Sequence, residues 1–490
     1  MSATKLTLTD NVVQQRRTPI HRLNADILLH VFTICRDDEP VDIWTLSRVC
    51  SRWRSLALEH SFLWTRITVN QPSIDLLGYY GLRNWLDEWI LRTGTTGALD
   101  VVIDTKNTGT YSSWYWSSID DFRDMLLAVA REAHRWRSFS YTLDLPWETG
   151  FGSTYPWETQ SAKQKFLERV RSVPLLRSMC LMQRGAGEFC AYSPQTVYSL
   201  LHHDTDLHLS SLSLLNVKVT EDIPRGKLDR FSYQVTPDCS FGREAVLSAL
   251  KTYSSMRCLH LSGWIDPEDD ESSAIVLGGL EELHVEPDVE TANILSSVDM
   301  PCLAKLTVGG RGRIVRDRLT SLSSMTTRNN SDAIQFLRDF SFRPHSSLLT
   351  TLVLNLSAKD VPWSCIASFR SLETLRIAVS ILHFSWLTTP RNLSDLWTKK
   401  RWDDGEPTWL LPRLQMLILE VDADRGFNHS VRIKWTQLDA EWKRHSHDRW
   451  AAAHQTDENI AVLDIDIITS SRKMEVREVA RSIDHATAIE

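Results

Sequence analysis

The sequence predicts an α/β chain: a short helical module at the N-terminus, then an irregular solenoid in which parallel strands form a curved sheet and helices lie outside it. Three observations carry that expectation. Large apolar residues at helical spacing crowd into residues 18–66, an apolar motif of the form L-x-x-L-x-L then recurs along the chain, and helix-like segments precede most of its copies.

The N-terminal module comes first. Ile20, Leu23, Ile27, Leu28, Val31 and Phe32 fall on one helical face; Val49-Cys50-Ser51-Arg52-Trp53-Arg54 and then Leu63-Trp64 follow a polar break. A segment of about 45 residues buries only a modest part of its unfolded surface, so this many large apolar side chains should need a partner to cover them. The order Leu23, Asp26-Ile27-Leu28-Leu29, Val31-Phe32, Val49-Cys50, Trp53-Arg54, Leu63-Trp64 resembles the F-box, and most closely the large fungal branch of that family. It departs from the usual pattern at Leu23-Asn24, where Leu-Pro is common, and at Asp26, where Glu is common. Asn24 still suits a helix start through its side-chain oxygen, and Asp26 suits the first-turn dipole. The resemblance implies a Skp adaptor bound through Ile20, Leu23, Ile27, Leu28, Val31, Phe32, Val49, Cys50, Trp53, Leu63 and Trp64, and through that adaptor a cullin.

Beyond Trp64 the motif appears at Leu209-Leu212-Leu214, Met256-Leu259-Leu261, Leu280-Leu283-Val285, Leu303-Leu306-Val308, Leu349-Leu352-Leu354, Leu372-Leu375-Ile377 and Leu414-Leu417-Leu419. Weaker copies are Ala98-Val101-Ile103, Trp136-Phe139-Tyr141, Leu176-Met179-Leu181 and Leu228-Phe231-Tyr233. The steps from Met256 to Leu280 and from Leu280 to Leu303 are 24 and 23 residues, inside the range of about 20 to 29 typical of leucine-rich repeats. The last two apolar positions stand two apart, so on a strand they point to one side, and the leading residue folds over the same core. Helix-like stretches at 241–253, 291–298, 332–340 and 362–369 supply the crossover that successive parallel strands require.

Earlier, 74–91 and 119–136 read as amphipathic helices feeding strands at 99–103 and 139–143; Ser161 and Ser193-Pro194 read as helix starts. This region resembles the leucine-rich repeats of F-box proteins. Three positions past the last motif leucine, where regular repeats place a laddering Asn, stand Val217, Trp264, Asp288, Arg311, Ser357, Ser380 and Asp422, so no asparagine ladder is expected there. Near the C-terminus, 435–453 reads as a charged helix, Leu463, Ile465 and Ile467 alternate as in a strand, and 474–483 reads as a last helix. The domain reading is a disordered N-terminus at 1–17, the F-box at 18–66, an irregular leucine-rich-repeat solenoid at 67–430 and a capping segment at 431–490.

Composition excludes several classes. The 490 residues are 42% hydrophobic and 24% charged, as in ordinary globular chains, and a net charge of -7 gives no basic field for nucleic acid or an anionic membrane. Eight scattered cysteines form no C-x-x-C pair, so neither a disulfide framework nor a zinc module follows from their spacing. Residues 1–17 lack the apolar core of a signal peptide, and no run approaches a membrane span, so a cytoplasmic or nuclear location is expected. Nineteen tryptophans are many, and most are read as filling gaps between irregular repeats.

No catalytic site is legible. Gly309-Gly310-Arg311-Gly312-Arg313, with Arg316 and Arg318, lacks the third glycine and the Lys-Ser/Thr of phosphate loops and reads as a solvated basic loop. The acidic run at 266–271 lacks calcium-ligand spacing; His202, His203, His208, His445 and His447 read as surface histidines. The expectation is therefore a non-catalytic protein without a cofactor. The resemblance implies the substrate-recognition subunit of a Skp, cullin and F-box (SCF) ubiquitin ligase, in the protein-degradation pathway of ubiquitin conjugation, which holds an unknown protein target on its repeats. The rival reading is a leucine-rich-repeat interaction scaffold acting outside a ubiquitin ligase.

Overall fold

In the computed structural model, regular structure begins where the sequence places its first helix cap. The Asn24 carbonyl accepts from Leu28 N at 3.1 Å and so closes the first turn of α1 (Ala25–Asp38). Its side-chain amide donates to Asp26 instead of accepting from the backbone. Asp26 in the first turn and Arg36 in the last complement the helix dipole. Described are residues 23–38, 43–104, 119–144, 170, 173–184, 208–217, 219, 227–235, 241–263, 265–266, 274–286, 289–309, 325–355, 363–380, 411–422, 444, 447–448, 451 and 464–469. The chain divides into two compact units, Met1–Phe139 and Ser140–Glu490.

In the first unit, α1 turns Leu28 and Phe32 inward, α2 (Ile43–Ser47) adds Ile43 and Leu46, and α3 (Ser51–Glu59) adds Trp53 and Ala57. These pairs stand three or four apart, which is one face of a helix. A 3₁₀ turn at Ser61–Trp64 then delivers Leu63 and Trp64, both fully buried. Arginines fasten the module through backbone carbonyls: Arg52 donates to Leu23 O at 2.6 Å and Arg36 to Phe62 O at 2.7 Å. β1 (Arg66–Asn70) follows, then α4 (Gln71–Arg92), whose start is capped by the Asn70 side chain accepting from Ser73 N at 3.1 Å. β2 (Leu99–Asp104) pairs in parallel with β1, setting Ile67 opposite Val101 and Val69 opposite Ile103. α5 (Ile119–Arg131) follows, and β3 (Trp136–Asp144) contains the boundary between the units.

The second unit is a parallel α/β repeat. Its main strands are β4 (Ser178–Arg184), β5 (Ser211–Leu215), β6 (Arg230–Val235), β8 (Cys258–Gly263), β11 (Glu282–Glu286), β13 (Lys305–Val308), β14 (Thr351–Leu354), β15 (Thr374–Ser380), β16 (Met416–Asp422) and β17 (Asp464–Thr469), in that spatial order. Two-residue strands pair beside them, β7 (Phe241–Gly242) with β9 (Ile265–Asp266) and β10 (Ile275–Val276) with β12 (Val298–Asp299). Each motif copy lands on a strand in one common register. Met179, Leu212, Phe231, Leu259, Leu283, Leu306, Leu352, Leu375 and Leu417 stand in a single row across the sheet. The residues three earlier, from Leu176 to Leu414, are at most 4% exposed and close the core from the turn. Helices at Arg243–Thr252, Val289–Ser296, Met325–Ser341 and Trp363–Ile366 coincide with the expected stretches, the third starting a turn or more earlier than its apolar pattern.

Two asparagines bridge strands despite the missing ladder. Asn216, in the left-handed region at φ 52°, donates to Gln183 O at 3.0 Å, and Asn355 donates to Gly309 O at 3.0 Å. They stand two and one positions past the last motif leucine rather than three. The starts at Ser161 and Ser193, the helix at 474–483, most of 435–453 and the loop at 310–318 lie outside the described residues.

Candidate functional sites on the helical module and the strand face

The helical module separates its apolar residues into two populations. Leu28, Phe32, Leu63 and Trp64 are fully buried and Trp53 nearly so, all inside the module's own core. Phe32 meets Trp53 edge-on with ring centres 5.0 Å apart. Trp64 meets Trp44 and Trp89 edge-on, each at 5.0 Å, and its indole N–H donates to Ala57 O at 2.7 Å. The Arg92 guanidinium lies 4.5 Å over Trp44 and 4.8 Å over Trp64, held by Glu88. These aromatic contacts complete a core within the first unit.

A different set faces outward. Leu23, Ile27, Val31 and Ile34 recur at three- or four-residue steps along α1; Ile27 is 50% and Ile34 44% exposed, while Leu23 and Val31 are half-buried. Val49 and Phe62 are exposed, Cys50 is half-buried, and Ile20 lies outside the described residues. Of the eleven positions nominated from sequence, five are structural core and five remain at or near the surface.

The second site lies on the outward face of the repeat strands. Between the buried motif positions, Ser232, His260, His284, Thr307, Val353 and Arg376 stand in register across six strands. His284, Lys305, Thr307, Val353, Asn355 and Arg376 line a hollow of about 350 Å³. Lys305, which also pairs with Glu282 at 3.5 Å, and Arg376 bring positive charge to it. Beside it the His260 and His284 rings stack 4.1 Å apart at 17°, with Glu286 two residues further along β11. Burial, and then the neighbouring His284, push His260 down to about 4, so it is neutral near pH 7. Burial also raises the Glu286 carboxyl, against the Ser262 hydroxyl that donates to it at 2.9 Å.

The sequence did not single out this histidine pair. Clustering along the chain pointed to His202, His203, His208, His445 and His447, of which His208 and His447 are described and both are exposed. The available signal was that His260 and His284 occupy the same slot in consecutive motif copies, Cys258-Leu259-His260-Leu261 and Glu282-Leu283-His284-Val285. Asp266 of the acidic run falls on β9; the rest of that run lies outside the described residues.

The module's helices and its closing turn coincide with the F-box-like family model, which matches residues 25–70. Residues 25–70 are an F-box-like domain. No curated protein matches the chain. Among solved structures it is similar to a Bacteroides fragilis protein at 10% identity and a TM-score of 0.29, over 67% of this chain and 74% of that one. Among the described residues, no helix is long and apolar enough to cross a membrane. The F-box-like domain therefore precedes a parallel α/β repeat, each with its own outward-facing set of side chains.

Proposed function

We propose that this chain is a substrate-recognition subunit of an SCF ubiquitin ligase, docking a Skp-type adaptor through its F-box-like domain and holding a protein target on the repeat strands. The observation that carries the reading is the family match at residues 25–70 together with the stripe Leu23, Ile27, Val31 and Ile34, of which Ile27 and Ile34 are exposed among the described residues, on a domain whose core is already complete. An apolar stripe left outside a finished core is a surface for a partner. The target side would use the hollow between Lys305 and Arg376, which favours an acidic side chain. The chain performs no bond chemistry in this reading. It accelerates ubiquitin transfer by raising the local concentration of the target beside the activated ubiquitin, a proximity effect.

The test is co-purification of the full chain with a Skp-type adaptor. Ile27→Asp with Ile34→Asp should weaken adaptor binding by about 30-fold or more, the equivalent of roughly 2 kcal/mol lost at an interface anchor. The melting curve should be unchanged, because both side chains are exposed. Adaptor retained at wild-type affinity by that double variant would defeat the proposal and favour a repeat scaffold outside the ligase. Leu28 and Trp53 are poorer probes than the motif suggests, since truncating either opens the domain's own core.

A further inference from the structure

We propose that the outward strand face carries a divalent transition-metal site, of the kind zinc occupies, formed by His260, His284 and Glu286. The register makes His260 and His284 direct partners across parallel β8 and β11, and strand alternation returns Glu286 to the same face two residues later. One donor atom from each of the three can be chosen so that all lie within 4.8 Å of one another. Two imidazoles and one carboxylate suit borderline metals such as zinc, and three protein ligands leave a fourth place for water or a donor from a partner.

The surroundings of His260 support a ligand role. Ser232 Oγ lies 3.2 Å and Gln234 Nε2 3.1 Å from its Nδ1, while its Nε2 is buried with no hydrogen-bond partner among the described residues. Turning the Gln234 amide over would let its oxygen accept from Nδ1–H, leaving the Nε2 lone pair for a metal. A second hydrogen bond that fixes the tautomer of a ligating histidine is the usual support for such a ligand. Ser262 orients Glu286 in the same way. Ring stacking is not yet coordination, because the lone pairs lie in the ring planes. Coordination requires the two rings to tilt until a nitrogen of each stands about 2.1 Å from one ion.

Hard cations are disfavoured by the same donor set. Calcium and magnesium take mainly oxygen ligands, and this cluster offers one carboxylate. The inference does not depend on the ligase reading, because the cluster lies on the repeat strands and none of its residues belongs to the F-box-like domain.

The experiment is titration of the full-length protein with zinc against a competing chromophoric chelator, followed by cobalt titration for the tetrahedral ligand-field spectrum. One zinc per chain is expected. His260→Ala and His284→Ala should each weaken binding by at least about tenfold and abolish the cobalt bands, and Gln234→Ala should weaken it by about tenfold. Glu286→Gln, which keeps its shape, and His284→Asn serve if the alanine variants do not fold. His447→Ala and the Ile27→Asp, Ile34→Asp double variant should bind zinc as the unmodified chain does. Magnesium should not compete. Absence of stoichiometric zinc binding, or binding that persists at full strength in the His260, His284 and Glu286 variants, would overturn the site and leave only a stacked histidine pair.

Discussion

Trp64 shows how much one side chain settles in this chain. It is fully buried, its indole N–H donates to Ala57 O, its own carbonyl accepts from the Trp89 indole, and the rings of Trp44 and Trp89 meet it edge-on. Trp64→Ala should cost about 3–5 kcal/mol of stability in the first unit, the range for a large aromatic removed from a core, as read by denaturant unfolding. Burial of Trp53 and Trp64 was not legible from the motif. Helical periodicity identifies an apolar residue but does not say whether its face meets the domain's own core or another protein. The structure separates the two, placing Leu28, Phe32 and Trp53 inside and Ile27 and Ile34 outside. Arg135 makes the complementary point for polar groups. It is 4% exposed yet satisfied by its local partner Glu132 and by Thr93 Oγ1 and Gly97 O from a turn about forty residues earlier, which no local pattern joins to it.

Among elements, the end of β8 is governed by Gly263. Its φ is 106°, and a Cβ there would stand 1.6 Å from Val235 O on the neighbouring strand. Thr291, on the next helix, donates to the Gly263 carbonyl at 3.1 Å, so the turn also seats that helix. Gly263→Ala should destabilise the repeat by more than about 1 kcal/mol, because neither the backbone angle nor the space admits a methyl group. A lower melting temperature than the unmodified chain checks this; an unchanged one means that the turn relaxes freely. The strands of the second unit were legible because two leucines two apart, preceded by one three earlier, are a strand with a covered edge. The strand at Arg66–Asn70 was not, since the residue three before its buried pair Ile67 and Val69 is Trp64, which the helical motif had already claimed. Asn216 and Asn355 escaped for a related reason. Their cross-strand bonds depend on where each strand stops, and each asparagine is the residue just past its strand's end, Leu215 or Leu354.

On the molecular scale, the proposed function predicts that its two activities separate. Lys305→Glu with Arg376→Glu should reduce capture of the protein target while leaving adaptor binding intact; Ile27→Asp with Ile34→Asp should do the reverse. Paired pull-downs from cells, with adaptor and target quantified in the same samples, read both outcomes. Loss of both partners in either variant would contradict that division. The sequence by itself determined the helical module, the repeated strand motif and the crossovers between copies, because each is written in local spacing of apolar residues. Only the tertiary structure decided which of those residues are core and which are surface, and that His260, His284 and Glu286 meet. Those outcomes depend on inter-strand register and burial, which bring together groups that local spacing leaves about one repeat apart.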